Sequence, residues 1–351
     1  MGVAYEVNFS GMPCVRRQLE PLLSTGAGLM RVLLTGATGF VGRALLERLH
    51  GMQGITPIAG TRRTDALALT DIACERLLLG DLRLATPAVD DLRDIDVVVH
   101  AAARAHVMED AADDPLEAFR AVNVQPSLRL AQAAAQAGVR RFLYISSIKV
   151  NGEASLDGLP FTAEEMPRPQ DPYGVSKWEA EQVLADCCQR AGMELVVVRP
   201  PLVYGPGVRA NFLRLMQGLS RGLPLPLGAM NNRRSLVALE NLIDLLVVCL
   251  DHPRAANQTF LVSDDEDISI ADLARKLSRL LGSRAWLIPL PPRYLRAGLQ
   301  LLGRRSAVHR LCGELRVDIV KTRTLLNWAP PQRLDQALAI TAKDYLERLV
   351  R

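Results

Sequence analysis

Tyr173 and Lys177 stand four residues apart in the run Tyr173-Gly174-Val175-Ser176-Lys177, a spacing that puts both side chains on one face of a helix. A free phenol, with a pKa near ~10, is a poor proton shuttle at neutral pH. A neighbouring ammonium favours the phenolate and lowers that value. Such a pair can give a proton to a carbonyl oxygen or take one from an alcohol. Asp171-Pro172 just ahead suits a helix entry. The spacing alone fits a structural pair as well. What changes the reading is Ser147, placed just after the apolar run Arg141–Ile145, because a hydroxyl can both donate to and accept from a substrate oxygen.

Far upstream, the turn Thr35-Gly36-Ala37-Thr38-Gly39-Phe40-Val41-Gly42 follows the apolar run Met30–Leu34. The order is buried strand, tight turn, helix start. Gly36 allows the sharp turn, Gly39 removes a side chain where a phosphate must approach, and Gly42 lets the helix pack close to the strand. The free N–H groups of the new helix then face an anion. Glycine turn, strand-end serine and Tyr-x-x-x-Lys together point to a dinucleotide enzyme.

These groups need a sheet to hold them. Strand and helix signals alternate from Met30 to about Pro200. Strands are expected at Arg31–Leu34, Ile55–Ala59, Arg76–Leu79, Asp96–Val99, Arg141–Ile145 and Glu194–Val198. Helices are expected over Arg43–Leu49, Leu116–Ala137 (closed by Gly138) and Tyr173–Ala191 (closed by Gly192). Continuous apolar strands between helices imply an α/β fold, a Rossmann-type doubly wound parallel sheet covered on both faces. Its ligands sit at the carboxyl ends of the strands. That places Ala101, Ala102 and Ala103 after the fourth strand, and Ser146 after the fifth, among the cofactor contacts. Beyond Pro200, Pro, Gly and Asn become frequent, so 201–351 reads as a smaller C-terminal substrate-binding lobe, with the strand-like 257–262 rejoining the main sheet. Residues 30–200 form the dinucleotide-binding unit, and 1–29 an N-terminal extension without an apolar signal region.

An NAD site uses an acid about twenty residues past the glycines to hold the ribose 2′-OH. Here the second strand ends Ala59-Gly60-Thr61-Arg62-Arg63, with no acid between Gly51 and Thr64. Two guanidiniums suit the 2′-phosphate of NADP(H); NAD(H) is the alternative. Asp81 and Leu82, at the third strand end, would flank the adenine.

Bulk composition bounds the rest. The chain has 351 residues, 49% hydrophobic and 23% charged, with a net charge of +4 that does not imply nucleic acid. Its six cysteines form no CxxC pair and no zinc-spaced cluster, so no metal is expected, the thiols read as reduced and the location as cytoplasmic. No apolar stretch is long enough to span a bilayer. Tyr294–Arg310, which mixes Leu with Arg, reads as a solvated amphipathic helix rather than a membrane-surface one.

With these motifs in this order, the chain resembles the extended short-chain dehydrogenase/reductase family of nucleotide-sugar epimerases, dehydratases and reductases, from Met30 to Trp328. The segments that carry the resemblance are Thr35–Gly42, His100–Ala103, Asn123-Val124, Ser146-Ser147, Tyr173–Lys177, Arg199–Gly207 and Arg233–Asp244. The resemblance implies that Ser147, Tyr173 and Lys177 are the catalytic triad and that Lys177 also holds the nicotinamide ribose. It implies that Asn123 supports the Lys177 region, that Pro200 and Val203 lie beside the nicotinamide, and that Asn211 and Arg234 meet the nucleotide diphosphate. It also implies a homodimer formed through the helices after His106 and Tyr173.

Departures from the family pattern narrow the chemistry. Ile148 and Lys149 stand where related dehydratases carry Asp and Glu, so elimination of water lacks its proton carriers. Asn151 replaces a frequent Tyr. Leu202 stands where the family has a substrate-binding Asn, and Lys149 reads as an exposed residue, with replacement of that contact as the alternative. The closest pattern is that of bacterial surface-polysaccharide enzymes acting on UDP-linked N-acetyl-hexosamines. The first expectation is therefore NADPH-dependent 4-keto reduction of a UDP-linked 6-deoxy amino sugar. The second is UDP-hexose 4-epimerisation with tightly held NAD, and the third a non-catalytic NADP-binding sensor.

Overall fold

A computed structural model describes residues 29–62, 72–104, 114–155, 158–301 and 313–350. The expected extension 1–29 therefore lies outside the described residues except for its last position. Arg63, residues 105–113 and residues 302–310 of the amphipathic stretch also lie outside them.

The first half alternates as the sequence predicts: β1 (Met30–Thr35), α1 (Phe40–His50), β2 (Ile55–Thr61), β3 (Glu75–Leu78), β4 (Val97–His100), α2 (Pro115–Asn123), α3 (Gln125–Gln136), β5 (Arg141–Ile145), α4 (Pro172–Ala191) and β6 (Glu194–Arg199). The second half adds β7 (Leu202–Tyr204), α5 (Ala210–Ser220), β8 (Arg233–Arg234), β9 (Leu236–Ala238), α6 (Leu239–Asp251), β10 (Gln258–Leu261), β11 (Ile268–Ser269), α7 (Ile270–Leu280) and α8 (Pro292–Leu301). Helices Val320–Leu326 and Leu334–Val350 follow.

Seven strands form one sheet in the order β10-β6-β5-β4-β1-β2-β3, and every pairing within it is parallel. The order reverses between β1 and β4, the switch point at which such sheets bind ligands. Side chains alternate between two cores. Val32, Leu34, Val99, Leu143 and Val198 face α1 and α6. Leu33, Val98, Phe142, Tyr144 and Val197 face α3 and α4. Both faces are apolar because both are covered, which is why the strands read as unbroken Val/Leu runs. The strand Gln258–Leu261 pairs with β6, and α6 packs on α1, so part of the C-terminal half completes the main-sheet unit. A third core joins α5, α7 and the helix Leu334–Val350 in the lobe.

One expected helix is two. The stretch expected as Leu116–Ala137 breaks at Val124 between α2 and α3. Pro126, in the first turn of α3, has no N–H to give and crowds the carbonyl four residues back. The break turns Asn123 inward at the end of α2, where it is buried.

Candidate active site

The glycine turn is shaped by close approaches. Gly36 has φ +71°, and a Cβ there would lie 2.7 Å from the backbone of Ala101 and Ala102. A Cβ on Gly42 would lie 2.1 Å from the Gly36 carbonyl oxygen. Gly39 caps α1 with no side-chain hydrogen bond, and the first turn carries no acid. Its N–H donates to the Gly36 carbonyl at 2.8 Å. The outcome is a narrow turn whose following helix presents backbone donors and no competing carboxylate, with Thr38 exposed and Phe40 and Val41 half-buried beside it. Such a cradle fits a dinucleotide pyrophosphate.

One strand over from the glycine turn, Arg62 is exposed just past β2, and no acid stands at that strand's end. Asp81 is held by Arg83, whose Nε lies 3.0 Å from both carboxylate oxygens. The Arg83 hydrogen bonds pull the Asp81 carboxyl down to about 2. Leu82 is buried in the core rather than presented to the surface.

The reactive set lies at the carboxyl end of β5. Asp171 caps α4, its Oδ1 accepting from the Gly174 N–H at 2.6 Å. Two residues later Tyr173 is half-buried, hydrogen-bonded with Ser147 and edge-on to Phe119 at 5.8 Å. Lys177, one turn further, is buried. Its Nζ donates to the Ile145 carbonyl at 2.8 Å and lies 4.5 Å from the centre of the Tyr144 ring. Ser147 Oγ accepts from the Lys149 N–H at 3.3 Å.

Electrostatics here differ from the sequence expectation. Desolvation pushes Tyr173 up to about 12; the Ser147 hydrogen bond works against it and the Asp171 charge with it. Desolvation also brings Lys177 down to about 7, opposed by Glu181. The expected acidification of the phenol by its ammonium neighbour is outweighed, because removing both groups from water favours the neutral form of each.

Which partners these side chains find was invisible in the linear pattern. Ser146 Oγ donates to Glu181, a buried carboxylate that Arg199 grips through Nε and Nη2 at 2.9 and 2.5 Å. Arg199 also donates to Asn151 Oδ1 at 3.0 Å. Asn123 Nδ2 donates to Ser176 Oγ at 3.0 Å, and its Oδ1 accepts from the Arg104 N–H at 2.9 Å. It thereby ties α4 to the loop after β4. His100 bridges Thr35 Oγ1 at 2.7 Å and Ser127 Oγ at 2.9 Å. Burial, then the Lys177 charge, lowers His100 to about 3. In the sequence His100 stood as a lone polar residue ending an apolar run, at the start of the resembling segment His100–Ala103.

Lys149 does not reach out alone. Its Nζ pairs with Asp171 and, at 2.9 Å, with Glu153. Burial would lower its pKa, but the two carboxylates outweigh burial and raise it. Pro200 is buried and Val203 half-buried beyond β6. Arg234 lies on β8, its Nη1 3.4 Å from the Gly313 carbonyl. Burial lowers its pKa, and the Glu153 charge opposes this. Asn211 is exposed on the first turn of α5, behind Ala210 at φ +53°. No group of three or more potential metal ligands exists among the described residues. No described helix is long and apolar enough to cross a membrane.

Comparison with known proteins gives a consistent picture. The model of the NAD dependent epimerase/dehydratase family matches residues 32–263. A Vibrio cholerae protein named UDP-glucose 4-epimerase is 44% identical over 321 residues, covering 90% of this chain and 95% of its own length. A Pseudomonas aeruginosa GDP-6-deoxy-D-mannose reductase is 27% identical, with 91% and 98% of the two chains covered. The crystal structure of a Bacillus cereus UDP-glucuronic acid 4-epimerase in complex with NAD shares the fold, with a TM-score of 0.74 and 23% identity over 92% of this chain and 100% of that one.

Proposed function

The chain belongs to the NAD dependent epimerase/dehydratase family, and on that premise we propose that it carries out hydride transfer at C4 of a UDP-hexose, with Tyr173 as acid and base. The observation that carries this is the meeting of Tyr173, Ser147 and Lys177 at the carboxyl end of β5, in the same sheet as the glycine turn after β1. Tyr173 Oη takes the proton of the C4 hydroxyl as the carbon is oxidised and returns it to the C4 carbonyl oxygen on reduction. Ser147 Oγ donates to the same oxygen and holds it in place. Lys177 stands one helical turn from the phenol with its Nζ held on the Ile145 carbonyl, and in its protonated form its charge favours the phenolate. The glycine turn holds the dinucleotide, which supplies hydride exchange with the carbon when bound. Ile148 is buried and Lys149 is paired, so neither offers the proton carriers of a dehydratase.

The redox-neutral direction, UDP-glucose-type 4-epimerisation with retained NAD, is supported by the 44% identical relative and its near-complete coverage. A second direction is 4-keto reduction of a UDP-linked N-acetyl-hexosamine by exchangeable NADPH. It is supported by Arg62 beside an acid-free strand end and by a phenol held in its protonated form, ready to donate. By this proposal Lys149, Asn211 and Arg234 line the sugar-nucleotide side of the cleft.

Incubating the full chain with UDP-glucose, and separately with NADPH and a UDP-4-keto sugar, distinguishes the readings. Sugar interconversion without net loss of NAD(P)H supports epimerisation. Stoichiometric NADPH consumption supports reduction. Silence with both substrates, while the dinucleotide still binds, would replace the enzyme proposal with a sensor.

A further inference from the structure

The chain's modest net charge hides an uneven distribution. Between Leu273 and Gly313 there are nine Lys or Arg and no Asp or Glu, in a chain that has 42 basic and 38 acidic residues overall. Outside that stretch acids outnumber bases.

The described part of this stretch is also apolar at its surface. A short parallel ladder joins the segment after α5 to the segment after α7, with the Leu225 N–H donating to the Trp286 carbonyl at 2.9 Å and the Ile288 N–H donating to the Leu225 carbonyl at 2.8 Å. Leu223 and Trp286 therefore stand at the same end of the ladder, and they are 46% and 68% exposed. Leu280 closes α7 just before, and Tyr294 opens the first turn of α8, 38% and 56% exposed. Arg279, Arg284, Arg293 and Arg296 are interleaved with these residues and are exposed. Arg275 and Lys276 pair with Asp272 and Asp335, but those four arginines form no ion pair with any described carboxylate.

We propose that this end of the C-terminal lobe docks on an anionic lipid bilayer. The chemistry matches that surface on two counts. Arginines are drawn to anionic headgroups. Exposed Leu side chains, with Trp and Tyr among them, suit the boundary between headgroups and acyl chains. A nucleic acid would satisfy the arginines but leave the aliphatic groups in water. Docking is peripheral, since no described helix can span.

Co-sedimentation of the full chain with phosphatidylcholine vesicles, with and without about 30% phosphatidylglycerol, tests this. The protein is expected to pellet with the anionic vesicles at low salt, stay in solution with the neutral ones, and be released by roughly 0.5 M salt. An Arg284→Gln/Arg293→Gln double variant is expected to partition roughly tenfold more weakly while keeping full turnover of soluble substrate, which also shows that it folds. On vesicle binding the fluorescence should shift to the blue in the wild type, and the shift should disappear in Trp286→Phe, because Trp328 is buried and Trp178 half-buried. Absence of pelleting at low salt would overturn the proposal. So would equal pelleting with both vesicle types, or a duplex oligonucleotide bound at lower protein concentration than the anionic vesicles.

Discussion

Polar groups at the carboxyl ends of β5 and β6 are buried and answered one by one; those at the ends of β2 and β3 stand in water. Ser146, Glu181, Arg199 and Asn151 form a closed buried set. Arg62 and the Asp81–Arg83 pair are exposed, and Asp81 titrates low because of its neighbour rather than because of burial. In the first region each group depends on the others, since a buried charge without a partner is costly. In the second, each charge can change with little effect on its surroundings. The β5–β6 end of the proposed cofactor site is thus constrained by stability, while the β2–β3 end, where the proposal puts the choice between NAD and NADP, is open to variation.

Five substitutions sharpen or break that contrast. The largest effect is expected at the reactive end. Tyr173→Phe should lower kcat roughly 10³-fold with an unchanged melting temperature; turnover near wild type would remove Tyr173 from the chemistry. Arg199→Met should cost about 3–5 kcal/mol in urea unfolding because it leaves Glu181 buried and unpaired. Adding Glu181→Gln should recover part of that loss. If the single variant proved as stable as wild type, the closed set would not be holding the region together.

His100 adds a pH signature to the buried side. Its folded pKa is lowered from 6.5 to about 3, so the unfolded chain takes up a proton first as pH falls. The stability associated with neutral His100 is complete above about pH 6.5 and is lost progressively toward pH 3. Over that window it contributes a slope of roughly 1.4 kcal/mol per pH unit. Urea unfolding between pH 4 and pH 7 should therefore show a shallower dependence in His100→Gln than in wild type, and identical slopes would rule out burial of a neutral imidazole. The smallest effect is expected at Arg62. Arg62→Ala should leave the melting temperature unchanged and shift the NADPH-to-NADH affinity ratio by roughly fivefold at most. A large loss of stability there would erase the distinction between the two regions.

Most of the fold was legible because its signals are local. The strand before the glycine turn, the turn itself and the helix after it occupy consecutive positions, and strands buried on both faces show as Val/Leu runs. The helix that broke at Val124 was misjudged because periodicity continued through Pro126 while the backbone could not. Within the candidate site, Ser147, Tyr173 and Lys177 were legible from residue type and spacing. The acidity of Tyr173 was not, because it depends on how much water the fold excludes. Lys149 looked like a free contact because its partner Asp171 is 22 positions away.

By itself, the amino-acid sequence determined which residues share a turn or a helix face: three glycines in one loop, and a phenol and an amine one helical turn apart. These follow from covalent order and helical repeat, which act over a few residues. Tertiary structure alone decided which polar groups leave water and which partner each then finds. His100 meets Thr35 across 65 positions and Ser127 across 27, and Arg199 meets Glu181 across 18. Burial and charge pairing act through space, so no local pattern records them.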